Sequence, residues 1–166
     1  IEHIVINHFY LGGMIEEHLG NGSRYGVSLQ YSREPIRLDT AGGIIKSLPK
    51  LKDDSFIVCN ADIWTDYPFN CLKDRAEEMD GVNQLAHLVM IENAEHNPKG
   101  DFYLSSEGKL HEQAKDGDEK STFSGISILH RKLFRDFPIQ PRSLVPLLSD
   151  AMKEGQVTGE IYQGIW

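Results

Sequence analysis

The sequence predicts an α/β fold built on a parallel sheet, and three observations carry that expectation. The chain opens strand-helix-strand, and a crossover of that kind joins parallel strands. Its middle holds the unbroken apolar run Phe56-Ile57-Val58-Cys59. That run is β-rich, too short for a helix and typical of a strand buried on both faces. It stops at Asn60-Ala61-Asp62, so a carboxylate sits just past a strand's carboxyl end, where open α/β sheets bind ligands.

The elements follow in order. Ile4-Val5-Ile6 is a first strand ending at Asn7. Leu11, Met14, Ile15 and Leu19 keep helical spacing with Glu16 and Glu17 opposite, and Gly20-Asn21-Gly22 ends that helix. Val27, Leu29 and Tyr31 alternate with polar residues, which predicts a half-exposed strand. Pro35 makes 33–39 irregular. A helix then starts near Thr40-Ala41-Gly42-Gly43, with Thr40 as its N-cap and Ile44, Ile45 and Leu48 on one face, and stops at Pro49. After the central strand, Leu72, Ala76 and Met79 mark a helix with Lys73 and Glu77 paired four apart. Leu85–Ile91 is an apolar strand interrupted by His87, a core or edge histidine. Phe102 and Leu104 alternate in a strand, and 109–111 return as its hairpin partner. Asp116-Gly117-Asp118-Glu119-Lys120 is a charged turn without EF-hand spacing. Thr122–Leu129 is a strand broken at Ser124-Gly125, and an interior glycine signals a bulge. Ser143 precedes a last helix carrying Leu144, Leu148, Ala151 and Met152, and a final strand follows from Val157.

Composition narrows the function. The 166 residues fit one domain with one core. The net charge of −8 argues against a nucleic-acid partner. No apolar run approaches membrane-spanning length, so no membrane partner is expected. Ile1 begins in strand-like sequence with no basic leader, and Cys59 and Cys71 form no disulfide framework; a reducing cytoplasm is the expectation. Cys59 is expected in the core. The seven histidines show no metal-ligand spacing. Walker, GxGxxG and GxSxG motifs are absent.

Two features carry chemistry. Asp62 suits a hard cation shared with a phosphate, since Mg²⁺ takes one or two carboxylates plus phosphate oxygens; it equally suits the cap of a turn. Gly42 and Gly43 each cost a helix about 1 kcal/mol against Ala. Their use is a bare backbone that a ligand can approach, beside the free N–H groups of a helix start; a tight loop is the plainer reading.

Read together, several stretches resemble the sugar-nucleotidyltransferase family, also called nucleotide-sugar pyrophosphorylases. They run in the family's order: Ile4-Val5-Ile6-Asn7, the Leu19–Gly26 stretch, Thr40-Ala41-Gly42-Gly43-Ile44, Asn60-Ala61-Asp62-Ile63-Trp64, Gly100-Asp101-Phe102, Phe123-Ser124-Gly125-Ile126 and Tyr162-Gln163-Gly164-Ile165-Trp166. The resemblance is closest to the bacterial N-acetylmuramate 1-phosphate uridylyltransferase and mannose-1-phosphate guanylyltransferase-like subgroup. It implies a single domain over residues 1–166 with a Rossmann-like nucleotidyltransferase fold: a mostly parallel central sheet with helices on both faces, truncated at both ends. It implies a nucleoside triphosphate and a sugar 1-phosphate as substrates and Mg²⁺ as cofactor. Asp62 then holds the metal and is the catalytic residue; Thr40, Gly42, Gly43 and Asn60 bind the nucleotide; Gly100, Asp101, Ser124 and Gly125 bind the sugar phosphate.

The sequence departs from the family at its ends. The Gly-rich, Arg-containing triphosphate loop and the following lysine have no counterpart before Ile1. The second metal aspartate normally follows the tryptophan matched by Trp166. The resemblance therefore implies a fragment with little activity of its own and an unpaired sheet edge, which leaves a homo-oligomer open. Two other functions compete: a non-catalytic nucleotide-sugar-binding or regulatory subunit on the same fold, and a glycosyltransferase with a DxD metal motif. The latter fits poorly, because Trp64 stands two residues after Asp62.

Overall fold

A computed structural model describes residues 1–114 and 119–166. The expected charged turn at 116–120 falls largely outside the described residues. The chain forms two compact units, Ile1–Asp53 with Asp136–Leu144, and Asp54–Arg135 with Val145–Trp166.

The first unit is the expected strand-helix-strand. β1 (His3–His8) pairs in parallel with β2 (Ser28–Arg33), in register from His3 opposite Ser28 to His8 opposite Arg33. Between them runs α1 (Gly12–Leu19), which ends at Gly20 in a left-handed backbone. α2 (Asp39–Ser47) packs on both strands and buries Ala41, Ile44 and Ile45. Its start differs from expectation. Thr40 is not the N-cap: it lies exposed inside the first turn, and its own N–H donates to Asp39 Oδ1 at 2.8 Å. Asp39 takes φ +60°, and its short acceptor side chain makes that left-handed backbone tolerable.

The second unit holds the larger sheet. Its strands are β3 (Ser55–Cys59), β4 (Ala86–Ile91), β5 (Phe102–Leu104), β6 (Leu110–His111), β7 (Glu119–His130) and β8 (Val157–Ile161). The order is β6-β5-β7-β4-β8, with β3 also on β7. β3, β4 and β8 share one direction, and the long β7 runs against β3 and β4. The sheet is therefore mixed: β4–β8 is its parallel pair, and β3–β7, β4–β7, β5–β6 and β5–β7 are antiparallel. An inner strand reads as a continuous apolar run whichever way it points, so patterning could not show the reversal.

α3 (Cys71–Glu78) covers one face, where Leu72 and the following Met79 pack with Tyr67, Val89, Ile126 and Ile128. The alternate positions Ala86, Leu88 and Leu129 are also fully buried, so both faces are covered. Each such leucine is worth about 2 kcal/mol of burial. α4 (Val145–Lys153) adds buried Leu147, Leu148, Ala151 and Met152, with Pro146 in its first turn. β4 is buried along its whole length, as expected of a central strand. β3 is not: among the described residues it pairs with β7 alone, and Phe56–Val58 are half-buried. Cys59, expected in the core, is exposed, because it ends an edge strand.

Candidate functional site

The first unit contributes the start of α2. The bare backbone predicted at Gly42 and Gly43 is present, and the chain's own atoms approach it. A Cβ on Gly42 would lie 2.3 Å from the Gln140 carbonyl oxygen, and one on Gly43 would lie 2.5 Å from Asn7 Nδ2 and 2.6 Å from Glu34 Oε1. The N–H groups of Ala41 and Gly42 donate to the Arg142 carbonyl at 3.0 and 3.3 Å, and Arg142 N–H returns a bond to the Leu38 carbonyl at 2.9 Å. Two of the donors expected free at this helix start are thus satisfied internally. Glu34 Oε2 accepts from Leu38 N–H at 3.0 Å, which fixes the loop before the helix.

The second unit contributes the end of β3, the loop after it and a bulge in β7. Opposite β7, Val89 pairs with Ile126 and Met90 with Phe123, so Ser124 and Gly125 have no partner in β4. Gly125 takes φ +84°, open to glycine and costly for other residues. The predicted strand break is this bulge. Asn60 seats on it: its N–H donates to the Gly125 carbonyl at 3.1 Å, and a Cβ at 125 would lie 2.7 Å from both Asn60 Nδ2 and Ile63 Cδ1. Ser124 is buried, and its Oγ accepts from Ile126 N–H at 3.1 Å.

Asp101 meets β7 just before the bulge, on the same edge of β7 that pairs with β3. Asp101 Oδ2 accepts from Phe123 N–H at 2.8 Å and Oδ1 from Asn97 Nδ2 at 3.0 Å. Gly100, at φ +62°, abuts Asn93 and Ser121. The second unit therefore gathers Asn60, Gly100, Asp101, Ser124 and Gly125 around one bulge.

Asp62 lies exposed three residues past β3, with no hydrogen bond or ion pair to any described residue. Its charge is felt nearby: partial burial, and after it the Asp62 carboxylate, push the Cys59 thiol up. An un-neutralised, exposed carboxylate of hard oxygen donors fits a divalent cation completed by phosphate oxygens. Among the described residues no three His, Cys, Asp or Glu side chains gather as a metal cluster. A cation here would need ligands from its substrate.

The loop after Asp62 is anchored by residues that sequence reading did not assign. Tyr67, buried, donates its hydroxyl to Glu160 Oε1 at 2.5 Å; Arg75 Nη2 meets Glu160 Oε2 at 2.8 Å. His87 is buried, as a core histidine should be, with Nδ1 2.8 Å from Thr158 Oγ1 and Nε2 3.6 Å from Glu160 Oε2. His87, then the Tyr67 hydroxyl and Arg75, hold the Glu160 carboxyl at about 2 against partial burial that pushes it up. One step earlier in the loop, Asp66 Oδ1 accepts from the Tyr162 hydroxyl and from Ile165 N–H. Trp166 Nε1 donates to the Ser124 carbonyl at 2.8 Å. These partners stand 42 to 99 positions apart, so periodicity carries no trace of them.

The family model described as "Nucleotidyl transferase" matches residues 1–101. N-acetylmuramate alpha-1-phosphate uridylyltransferase of Neisseria meningitidis serogroup B is 39% identical over 165 residues, covering 98% of this chain and 71% of that protein. The protein of the same description from Caulobacter vibrioides is 27% identical over 175 residues, covering 100% of this chain and 72% of its own length. In structure, HddC from Yersinia pseudotuberculosis, complexed with GMP-PN, superposes with a TM-score of 0.73 at 15% identity, over 96% of this chain and 69% of that one. At that identity the likeness speaks for the fold.

Proposed function

The chain belongs to the nucleotidyl transferase family, and from that premise we propose that it transfers a nucleotidyl group from a nucleoside triphosphate to a sugar 1-phosphate. A phosphate oxygen of the sugar 1-phosphate forms a bond to the α-phosphorus. The bond from that phosphorus to the bridging oxygen breaks, and pyrophosphate leaves with the electron pair. The uridylyl reading is favoured over the guanylyl one, because relatives 39% and 27% identical over nearly this whole chain carry a uridylyltransferase description, whereas a guanylyltransferase subunit that also spans it is 23% identical.

The observation that carries the reading is the exposed, unpaired Asp62 past β3, in a chain 39% identical to such a protein over nearly all its length. We assign Asp62 as the residue that would hold the cation, Mg²⁺ in this reading. A bound cation would supply neutralisation of phosphate charge at that carboxylate. The chain's own part is positioning, which dominates phosphoryl transfer. In the first unit Thr40, Gly42 and Gly43 are assigned to the nucleotide, with the Arg142 carbonyl and Glu34 holding the start of α2 in shape; in the second unit Asn60 carries the same assignment. Gly100, Asp101, Ser124 and Gly125 meet the sugar phosphate, with the bulge supplying shape, since its Ser124 and Gly125 carbonyls accept from Trp166 and Asn60. The family model runs through both compact units, which supports reading residues 1–166 as one nucleotidyltransferase domain. No described helix is long and apolar enough to cross a membrane, and the net charge is −8. We place the reaction in the cytoplasm, without a nucleic-acid partner.

The test is pyrophosphate release by the full-length protein, with four nucleoside triphosphates against several sugar 1-phosphates. UTP with N-acetylmuramate 1-phosphate is expected to lead. Asp62→Asn is expected to lower turnover by about 100-fold or more. Absence of release for every pair, with nucleotide sugars still binding, would replace the enzyme by a nucleotide-sugar-binding subunit.

A further inference from the structure

We infer that Asp66 is a positioning residue, which clips the 162–166 segment onto the loop after Asp62 and so holds Trp166 against the Ser124 carbonyl. The inference rests on the nucleotidyl-transfer reading and adds a role to a residue outside the assigned site.

One carboxylate oxygen, Asp66 Oδ1, accepts both the Tyr162 hydroxyl and the Ile165 N–H, the latter at 2.8 Å. The neighbouring Thr65 Oγ1 donates to the Ile165 carbonyl at 2.7 Å and accepts from Tyr67 N–H at 3.1 Å. The peptide unit of Ile165 is thus held by its N–H and by its C=O. Tyr162 is fixed independently: its N–H donates to the Met90 carbonyl at 2.7 Å, and its ring meets Tyr67 edge-on at 5.0 Å. Gly164 lets the segment fold this tightly, since a Cβ there would lie 2.1 Å from the Tyr162 hydroxyl oxygen.

The product of the clip is the seat of Trp166. Its Nε1–H reaches the Ser124 carbonyl at 2.8 Å, and its ring stacks on His96 at 6.0 Å and 25°. Ser124 and Gly125 are therefore held on one flank by Asn60 and Ile63 of the loop that carries Asp62, and on the other by Trp166. Asp66 joins the two flanks. Bonds to a carboxylate are the stronger kind, so a single side chain can order the five-residue segment 162–166. The Tyr162 hydroxyl, and after it the Ile165 N–H, hold the Asp66 carboxyl below the usual range, so it stays an acceptor at neutral pH.

Asp66→Ala removes both charge-assisted bonds and is expected to raise KM for the sugar 1-phosphate about tenfold while KM for the nucleoside triphosphate stays within about twofold. Asp66→Asn keeps an oxygen acceptor and is expected to restore most of the affinity. In the Trp64→Phe background, Trp166 is the one tryptophan left in these 166 residues. There Asp66→Ala is expected to raise iodide quenching about threefold, as lost order exposes the indole. Should Asp66→Ala fail to fold, Tyr162→Phe removes one of the two bonds and gives the same pattern at smaller size. Unchanged quenching, or equal rises in both KM values, would overturn the clip. A shifted Mg²⁺ requirement with quenching unchanged would make Asp66 a cation ligand instead. If no substrate pair reacts at all, the transfer reading falls, and the quenching result still decides whether the clip exists.

Discussion

A glycine pair in the first compact unit and a single glycine in the second do different work. Gly42 and Gly43 lie in the first turns of α2 with ordinary helical backbone, and what they supply is room. Gly125, next to Ser124 in the β7 bulge, supplies room and a left-handed backbone at φ +84°. The first pair can be replaced wherever the neighbour can yield. The second carries strain as well, whatever its neighbour does. The contrast shows that a glycine beside a candidate ligand site can be demanded by the chain itself before any ligand arrives.

The contrast can be broken by substitution. Gly125→Ala is expected to cost about 3 kcal/mol, combining left-handed strain with overpacking on Asn60 and Ile63; urea unfolding reads it, and a cost under about 1 kcal/mol would remove the distinction. Gly42→Ala is expected to cost about 1–2 kcal/mol, because the Gln140 carbonyl is backbone and cannot rotate away, while the better helix propensity of Ala returns about 1. Gly43→Ala meets only the ends of the Asn7 and Glu34 side chains. These can swing, so the propensity gain leaves it near neutral or more stable by up to about 1 kcal/mol. A Gly43→Ala protein less stable than Gly42→Ala would show that room is not what these glycines supply.

Acid sharpens the comparison between the units. Glu160 sits at about 2 in the folded chain, against an ordinary 4.5. Its contribution is present in full above 4.5 and is lost as pH falls toward 2. In the first unit, the Arg33 side chain and after it His8 hold Glu16 at about 2. Arg33 is 76% exposed, so that pair is screened. Stability followed by urea unfolding between pH 5 and pH 2 should flatten more in Glu160→Gln than in Glu16→Gln, and added salt should shrink only the Glu16 part. The reverse order would put the acid-sensitive contact in the first unit.

Most elements were legible in the chain. The alternation at Val27–Tyr31 and the apolar runs at Phe56–Cys59 and Leu85–Ile91 all became strands. The Ser124-Gly125 break was legible too, because a glycine inside a β-rich run has few other uses. Thr40 was misread, since Asp39, one position earlier, can take the left-handed turn and accept the helix N–H itself. Cys59 was misread because an apolar run looks the same in an edge strand as in a central one. The Asp66, Tyr162 and Trp166 contacts were invisible, being polar pairs closed by the fold across long separations.

The amino-acid order alone determined which segments are strands and helices, because side-chain periodicity and glycine placement act over a few residues. It also determined that a carboxylate follows the β3 segment, and the structure showed that carboxylate to be exposed and unpaired. Which way β7 runs, which strands sit at the centre, and which polar groups close on Asp66, Asp101 and Glu160 were decided by tertiary structure. Those depend on strand pairing and on satisfying buried polar groups, and neither leaves a periodic mark in the sequence.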